Sequence, residues 1–225
     1  MTVTPEQLAG MIDHTQLKAD ATKEQFTKLC DEAREYGFAM VAINPYPVAQ
    51  CKKQLEGSGV HVGAAIGFPL GQVTIEDKVA ESQRAIANGA DEIDYVINIT
   101  ELKAGNLSYL EDEMRQIVGV CREQGALSKV IFENCYLTDD EKRQAATIAK
   151  KVRPDFIKTS TGFGSGGATL EDVKLMKSVV GDAVQVKAAG GIRELEDALA
   201  FIDAGVTRLG TSAGVKLVDA LRAQI

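Results

Sequence analysis

The sequence predicts a single (β/α)8 barrel of the TIM type with a short N-terminal helix, residues 1–225 forming one domain. Eight short β-branched runs alternate with longer helical patterns, and no linker or low-complexity stretch interrupts them. A chain of 225 residues with 45% hydrophobic content is enough for one large core. Strict alternation implies parallel strands with right-handed crossovers, and eight repeats favour closure over an open sheet. The rival doubly wound sheet lacks its marker, since no Gly-x-Gly-x-x-Gly follows the first run.

In chain order the runs are Met11 to His14, Ala39 to Asn44, Val60 to Gly67, Glu92 to Asn98, Lys129 to Asn134, Phe156 to Ser160, Val184 to Ala189 and Arg208 to Ser212. The segments between them have the 3.6-residue period of helices, as in Leu107, Leu110, Met114, Ile117, Val118 and Cys121. Thr22, Thr74, Thr138 and Thr169 each precede an acid or amide three residues on, the pattern of a helix N-cap. Gly37, Gly89, Gly125 and Gly205 stand where a helix must stop before the next strand, as left-handed C-caps do.

With 25 Lys and Arg against 32 Asp and Glu, the net charge of −7 opposes a nucleic-acid partner and attraction to an anionic membrane. The apolar runs fall far short of the roughly 20 residues of a membrane-spanning helix. Met1 to Leu8 lacks the basic and apolar regions of a secretory signal, so a soluble, cytoplasmic protein is expected. Cys30, Cys51, Cys121 and Cys135 form no Cys-x-x-Cys pair and read as free thiols in a reducing compartment. Cys135 is an alternative nucleophile, although only His14 and His61 are present to activate it.

Strand parity puts charges where a core should be apolar. With Ile93, Tyr95 and Ile97 facing the helices, Asp94 faces inward; Ile157 and Thr159 turn Lys158 inward, and Val184 and Val186 do the same for Lys187. Asp13 and Lys129 are weaker candidates for a supporting place in the same ring. Unpaired ionised groups in a barrel interior cost several kcal/mol, so two acids among three lysines point to a site, against the alternative of a charge-balanced structural network. Lys158 and Lys187 fall on neighbouring strands about 4.8 Å apart. Two amines that close disfavour double protonation, which leaves one of them partly neutral and nucleophilic. Parity does not say which.

Glycine-rich loops follow the last three strands: Thr161 to Gly167, Ala189-Gly190-Gly191 and Gly210-Thr211-Ser212. Backbone N–H groups there approach an anion closely, so Thr161, Gly162, Gly190, Gly191, Gly210 and Ser212 are the candidate phosphate ligands. Any one of these loops alone reads as a tight turn. The two histidines have no zinc-ligand spacing, so no catalytic metal is expected, although a carboxylate magnesium site is compatible with the composition.

Taken together, Ile12-Asp13-His14-Thr15, Asn44-Pro45, Gly67-Phe68-Pro69-Leu70-Gly71, Gly89 to Asp94, Phe156 to Phe163, Val186 to Arg193 and Leu209 to Ser212 resemble the deoxyribose-phosphate aldolases over almost the whole chain. The resemblance implies that Lys158 is the Schiff-base lysine, Lys187 the lysine that tunes it and relays protons, and Asp94 the general acid/base. It implies reversible cleavage of 2-deoxy-D-ribose 5-phosphate to D-glyceraldehyde 3-phosphate and acetaldehyde, in deoxyribose phosphate catabolism, without metal or cofactor. The expected partners are sugar phosphates, aldehydes and a second copy in a homodimer.

There are departures from the family pattern. Ala42 stands where many relatives have a Cys expected to border the substrate pocket, which implies weaker trapping by unsaturated aldehydes. Ala213 replaces a second Ser of the eighth loop. The sequence ends Ala223-Gln224-Ile225, so the help that a terminal Tyr gives proton transfer in some relatives is expected to be absent or to come from elsewhere. Another phosphate-binding barrel, transaldolase-like or an isomerase, and a non-catalytic sugar-phosphate sensor are the alternatives. The joint presence of Lys158, Lys187 and Asp94 opposes the sensor.

Overall fold

The structure is a computed structural model and describes residues 3–224. Met1 and Thr2, part of the stretch read for a secretory signal, and Ile225 of the tail comparison lie outside the described residues. The short N-terminal helix α1 (Pro5–Ala9) starts from a Thr4/Gln7 capping box with Pro5 in its first turn. Then follow β1 (Ile12–Gln16), α2 (Lys23–Tyr36), β2 (Met40–Ile43), α3 (Val48–Gln54), β3 (His61–Ile66), α4 (Ile75–Ala87) and β4 (Glu92–Val96). The second half contains α5 (Ile99–Lys103), α6 (Leu107–Gln124), β5 (Leu127–Ile131), α7 (Asp139–Val152), β6 (Phe156–Lys158), α8 (Leu170–Val180), β7 (Gln185–Ala189), α9 (Leu195–Asp203), β8 (Arg208–Thr211) and α10 (Gly214–Arg222). The strands pair in sequence order into a closed barrel, β8 returning to β1 through Asp13 opposite Gly210. All eight expected strands are present. Among the described residues no helix is long and apolar enough to cross a membrane.

Several runs stop earlier than their apolar pattern, and near two of these ends a side chain takes a backbone N–H. β4 ends at Val96, and Asn98 caps α5 by accepting the Glu101 N–H. β5 begins at Leu127, two residues before the expected Lys129, and ends at Ile131. β6 ends at Lys158, beyond which the Thr159 hydroxyl accepts the Ala189 N–H at 3.1 Å.

All four threonine caps accept the expected N–H, but only Gln25 and Glu141 complete the box. Asp77 instead accepts the Thr74 hydroxyl at 3.0 Å, and Asp172 is paired with Lys142 at 2.6 Å. Gly37 and Gly125 are the left-handed caps expected of them. Gly89 and Gly205, with φ of 107° and 95°, follow right-handed caps at Asn88 and Ala204, so the reversal comes one residue later.

Ile93, Tyr95, Ile157 and Val186 belong to the apolar layer between barrel and helices, as their parity requires. Inside the barrel, the Met40 sulfur takes the room that Gly63 leaves: a Cβ there would lie 2.2 Å from it. That sulfur is 3.3 Å from the Lys129 amine.

Candidate active site

The barrel register sets the charges side by side. Asp94 lies opposite Lys129, Lys158 opposite Lys187, and Lys187 opposite Arg208. Asp94 sits at the centre of the cluster: one carboxylate oxygen is 2.6 Å from the Lys129 amine, and the other is 2.7 Å from Lys187 and 3.0 Å from Lys158. Lys187 also contacts Asp13, whose other oxygen is 2.6 Å from Arg208. Arg208 reaches Glu92 at 3.3 Å, and Glu92 contacts Lys129 and lies 2.8 Å from the ring of His61. The five residues named from parity thus meet in one network.

Glu92 and Arg208 were not foreseen in that network. Glu92 had a legible signal, since it stands two residues before Asp94 on the same strand and shares its face. Arg208 had the same kind of signal, since its neighbour Leu209 belongs to the apolar layer between barrel and helices and turns Arg208 inward.

Three carboxylates, Asp13, Glu92 and Asp94, face three cations, Lys129, Lys187 and Arg208, and Lys158 is the remaining base. A buried cluster balanced without Lys158 favours its neutral form. Burial pushes the Lys158 amine down to about 8, the positive charges of Lys187 and Lys129 push in the same direction, and Asp94 opposes them. Repulsion between the two lysines was expected to lower this pKa, but desolvation is the larger cause. Burial opposes ionisation of Asp94, but Lys129, Lys158 and Lys187 outweigh it and hold the carboxyl well below the usual range. Desolvation would lower Lys129, yet Asp94, Glu92 and Asp13 raise it above an ordinary lysine.

Lys158 opens onto a cavity of about 350 Å³ at the C-terminal end of the strands, where barrel enzymes keep their chemistry. Thr161, Gly162, Gly190, Gly191, Gly210 and Ser212 all line it. Asp94 and Lys187 do not; they lie beneath the amine. Thr15, Lys18 and Arg193 also line the cavity. Lys18 and Arg193 were given no role from sequence, because loop residues follow no face periodicity. Ala42, expected to border the cavity, is buried in β2 and does not line it. Cys135 does not line it either, and Cys30, Cys51 and Cys121 are buried. A larger cavity of about 540 Å³ surrounds His61 at the opposite, N-terminal end of the barrel. Among the described residues no group of three His, Cys, Asp or Glu side chains is arranged to hold a metal ion.

The sequence model described as DeoC/LacD family aldolase matches residues 8–217. A deoxyribose-phosphate aldolase of Lactobacillus acidophilus is 58% identical over 225 residues, covering 100% of this chain and 95% of the relative. One from Thermococcus gammatolerans is 53% identical, with 96% of each chain covered. Among solved structures, the tetrameric deoxyribose phosphate aldolase of Aeropyrum pernix superposes with a TM-score of 0.91 at 32% identity, over 99% of this chain and 94% of that one. The charged interior of this barrel and the glycine loops above it therefore sit in a chain that belongs to the DeoC/LacD aldolase family.

Proposed function

We propose that this chain is a class I deoxyribose-phosphate aldolase acting in deoxyribose phosphate catabolism, with the whole reaction carried out in one barrel domain. The observation that carries the proposal is Lys158, the lysine of the network that lines the cavity and whose pKa is lowered to about 8. Neutral Lys158 adds to the aldehyde carbon of 2-deoxy-D-ribose 5-phosphate, and loss of water gives a protonated imine that acts as electron sink. The bond between the α and β carbons of the imine then breaks: its electron pair forms an enamine as the proton of the β-hydroxyl leaves through Asp94, and D-glyceraldehyde 3-phosphate departs. Lys187, 2.7 Å from Asp94, relays the proton and adds the charge that helps keep Lys158 neutral. Protonation and hydrolysis of the enamine release acetaldehyde. Asp13 and Lys129 hold Lys187 and Asp94 in place.

The N–H groups of Gly162, Gly190, Gly191 and Gly210, with Ser212, hold the 5-phosphate, Thr161 lines the cavity beside them, and Lys18 and Arg193 add positive charge at the cavity wall. No step in this sequence uses a metal. A homodimer in the cytoplasm is the assembly and location that go with this reading; sedimentation velocity tests the first.

The direct test is cleavage of 2-deoxy-D-ribose 5-phosphate, followed by coupled reduction of the triose phosphate, with and without EDTA. Full activity in EDTA and loss of at least about 10³-fold in Lys158→Met are expected. Abolition by EDTA, or cleavage persisting in Lys158→Met, contradicts the proposal.

A further inference from the structure

Just beyond the end of β5, Glu133 stands in a left-handed backbone conformation, φ 56° and ψ 61°, that L side chains rarely adopt. The residue is 2% exposed, and among the described residues its carboxylate is answered by hydrogen bonds from the next-but-one loop instead of by a cation. The Thr161 N–H donates to one carboxylate oxygen at 3.1 Å, and the Thr161 hydroxyl donates to the other. The same hydroxyl oxygen accepts the Phe163 N–H at 3.0 Å. Both loops are packed to preserve this: a Cβ on Gly164 would lie 2.7 Å from the Cys135 sulfur and 3.1 Å from the Glu133 carboxylate carbon. A buried carboxylate without a cation and a strained backbone persist only where the surroundings determine them strongly.

The consequence is chemical. A threonine hydroxyl has one proton and two lone pairs. Here the proton is committed to Glu133 and one lone pair to Phe163, so the hydroxyl of Thr161, a residue of the cavity wall, has only a lone pair left to offer: an acceptor and not a donor. Thr161 lies three residues past Lys158 and opens the first glycine loop, so along the chain it stands between the amine and the glycines of the proposed phosphate end.

We infer that Glu133 is a positioning and specificity-determining residue: by fixing the polarity of Thr161 it makes the middle of the cavity select a substrate hydroxyl, the one on the carbon beside the phosphate-bearing carbon. The inference rests on the aldolase reading above. An acceptor held in a buried site discriminates strongly against an analogue lacking the hydroxyl.

The test compares two acceptors condensed with acetaldehyde, D-glyceraldehyde 3-phosphate and its 2-deoxy analogue 3-oxopropyl phosphate, in wild type and Glu133→Gln. The glutamine is isosteric, but its amide N–H donates to Thr161 and turns that hydroxyl's proton toward the cavity. Wild type is expected to prefer the hydroxylated acceptor by at least about tenfold in kcat/KM. Glu133→Gln is expected to lose about tenfold or more on that acceptor, chiefly in KM, and less than about twofold on the deoxy analogue. In a Thr161→Val background the Glu133 exchange is expected to leave the ratio unchanged.

An equal loss on both acceptors, or an unaltered ratio, overturns the inference. Should Glu133→Gln not fold, absence of a preference in wild type, or its survival in Thr161→Val, overturns it as well. Borohydride trapping of acetaldehyde on Lys158 of the wild type separates the two levels: without that adduct it is the aldolase reading that fails.

Discussion

A lysine amine in water is protonated at neutral pH and does not attack a carbonyl. Burial and the charges of Lys187 and Lys129 lower Lys158 to about 8, which makes a working fraction of neutral amine available at neutral pH. Below that value protonation removes the nucleophile, so kcat/KM for cleavage is expected to fall about tenfold per pH unit on the acid side. Lys187→Met removes a positive charge beside the amine and frees Asp94 to hold its proton. The acid limb of the pH profile should then move to higher pH, and a shift to lower pH contradicts the assignment.

The same lowering has a stability cost. Between pH 8 and about 10.4 the unfolded chain binds a proton at this lysine that the folded chain does not, so stability rises with pH across that window. Lys158→Met is therefore expected to stabilise the fold by about 1–3 kcal/mol at pH 7 in urea unfolding while abolishing activity. A destabilised variant would show that the pairing with Asp94 outweighs the desolvation.

Elements position the phosphate end of the cavity through close backbone approach. A Cβ on Gly167 would lie 2.1 Å from the Gly190 carbonyl oxygen, so the loops after β6 and β7 meet only where Gly167 has no side chain. Gly167→Ala is expected to raise KM for the phosphorylated substrate about tenfold or more while leaving the acetaldehyde adduct on Lys158 intact, because Lys158 sits on the strand and not on the loop. Steady-state kinetics with the phosphorylated substrate check it.

The same contrast explains what the sequence made legible. Strand parity is a strict alternation, so Asp94, Lys158 and Lys187 were placed inside the barrel from their apolar neighbours alone, and the pairing register bears this out. Loop residues have no such period. Glu133 falls within the fifth run, Lys129 to Asn134, but the strand ends at Ile131; Glu133 takes a backbone conformation that its residue type does not advertise and is tied to Thr161 across 28 positions of sequence. Resemblance, and not parity, separated Lys158 from Lys187. The structure adds an independent ground, since Lys158 lines the cavity and Lys187 is fully buried beneath it.

For the whole molecule, the network joins strands from both sides of the barrel closure. Asp13 and Arg208 come from β1 and β8, while Glu92, Asp94 and Lys129 come from β4 and β5. Asp94 and Glu92 are both held below ordinary carboxylates against the opposing effect of burial. Their contribution is present above the usual carboxylate pKa of about 4 and is lost as pH falls through the folded values. Asp94→Asn leaves three lysine amines with one carboxylate fewer. It is expected to destabilise the barrel by about 3–5 kcal/mol at pH 7 and to flatten the acid dependence of unfolding. Equilibrium denaturation from pH 7 down to about pH 2 checks both, and an unchanged acid profile would place the relevant carboxylates elsewhere.

The central claim, that Lys158 is the carbonyl-binding amine, is tested most directly by borohydride reduction in the presence of acetaldehyde followed by peptide mass analysis. The account predicts a single N-ethyl adduct on the peptide carrying Lys158, abolished in Lys158→Met. An adduct on Lys187 instead, or no adduct in an enzyme active on 2-deoxy-D-ribose 5-phosphate, would contradict it.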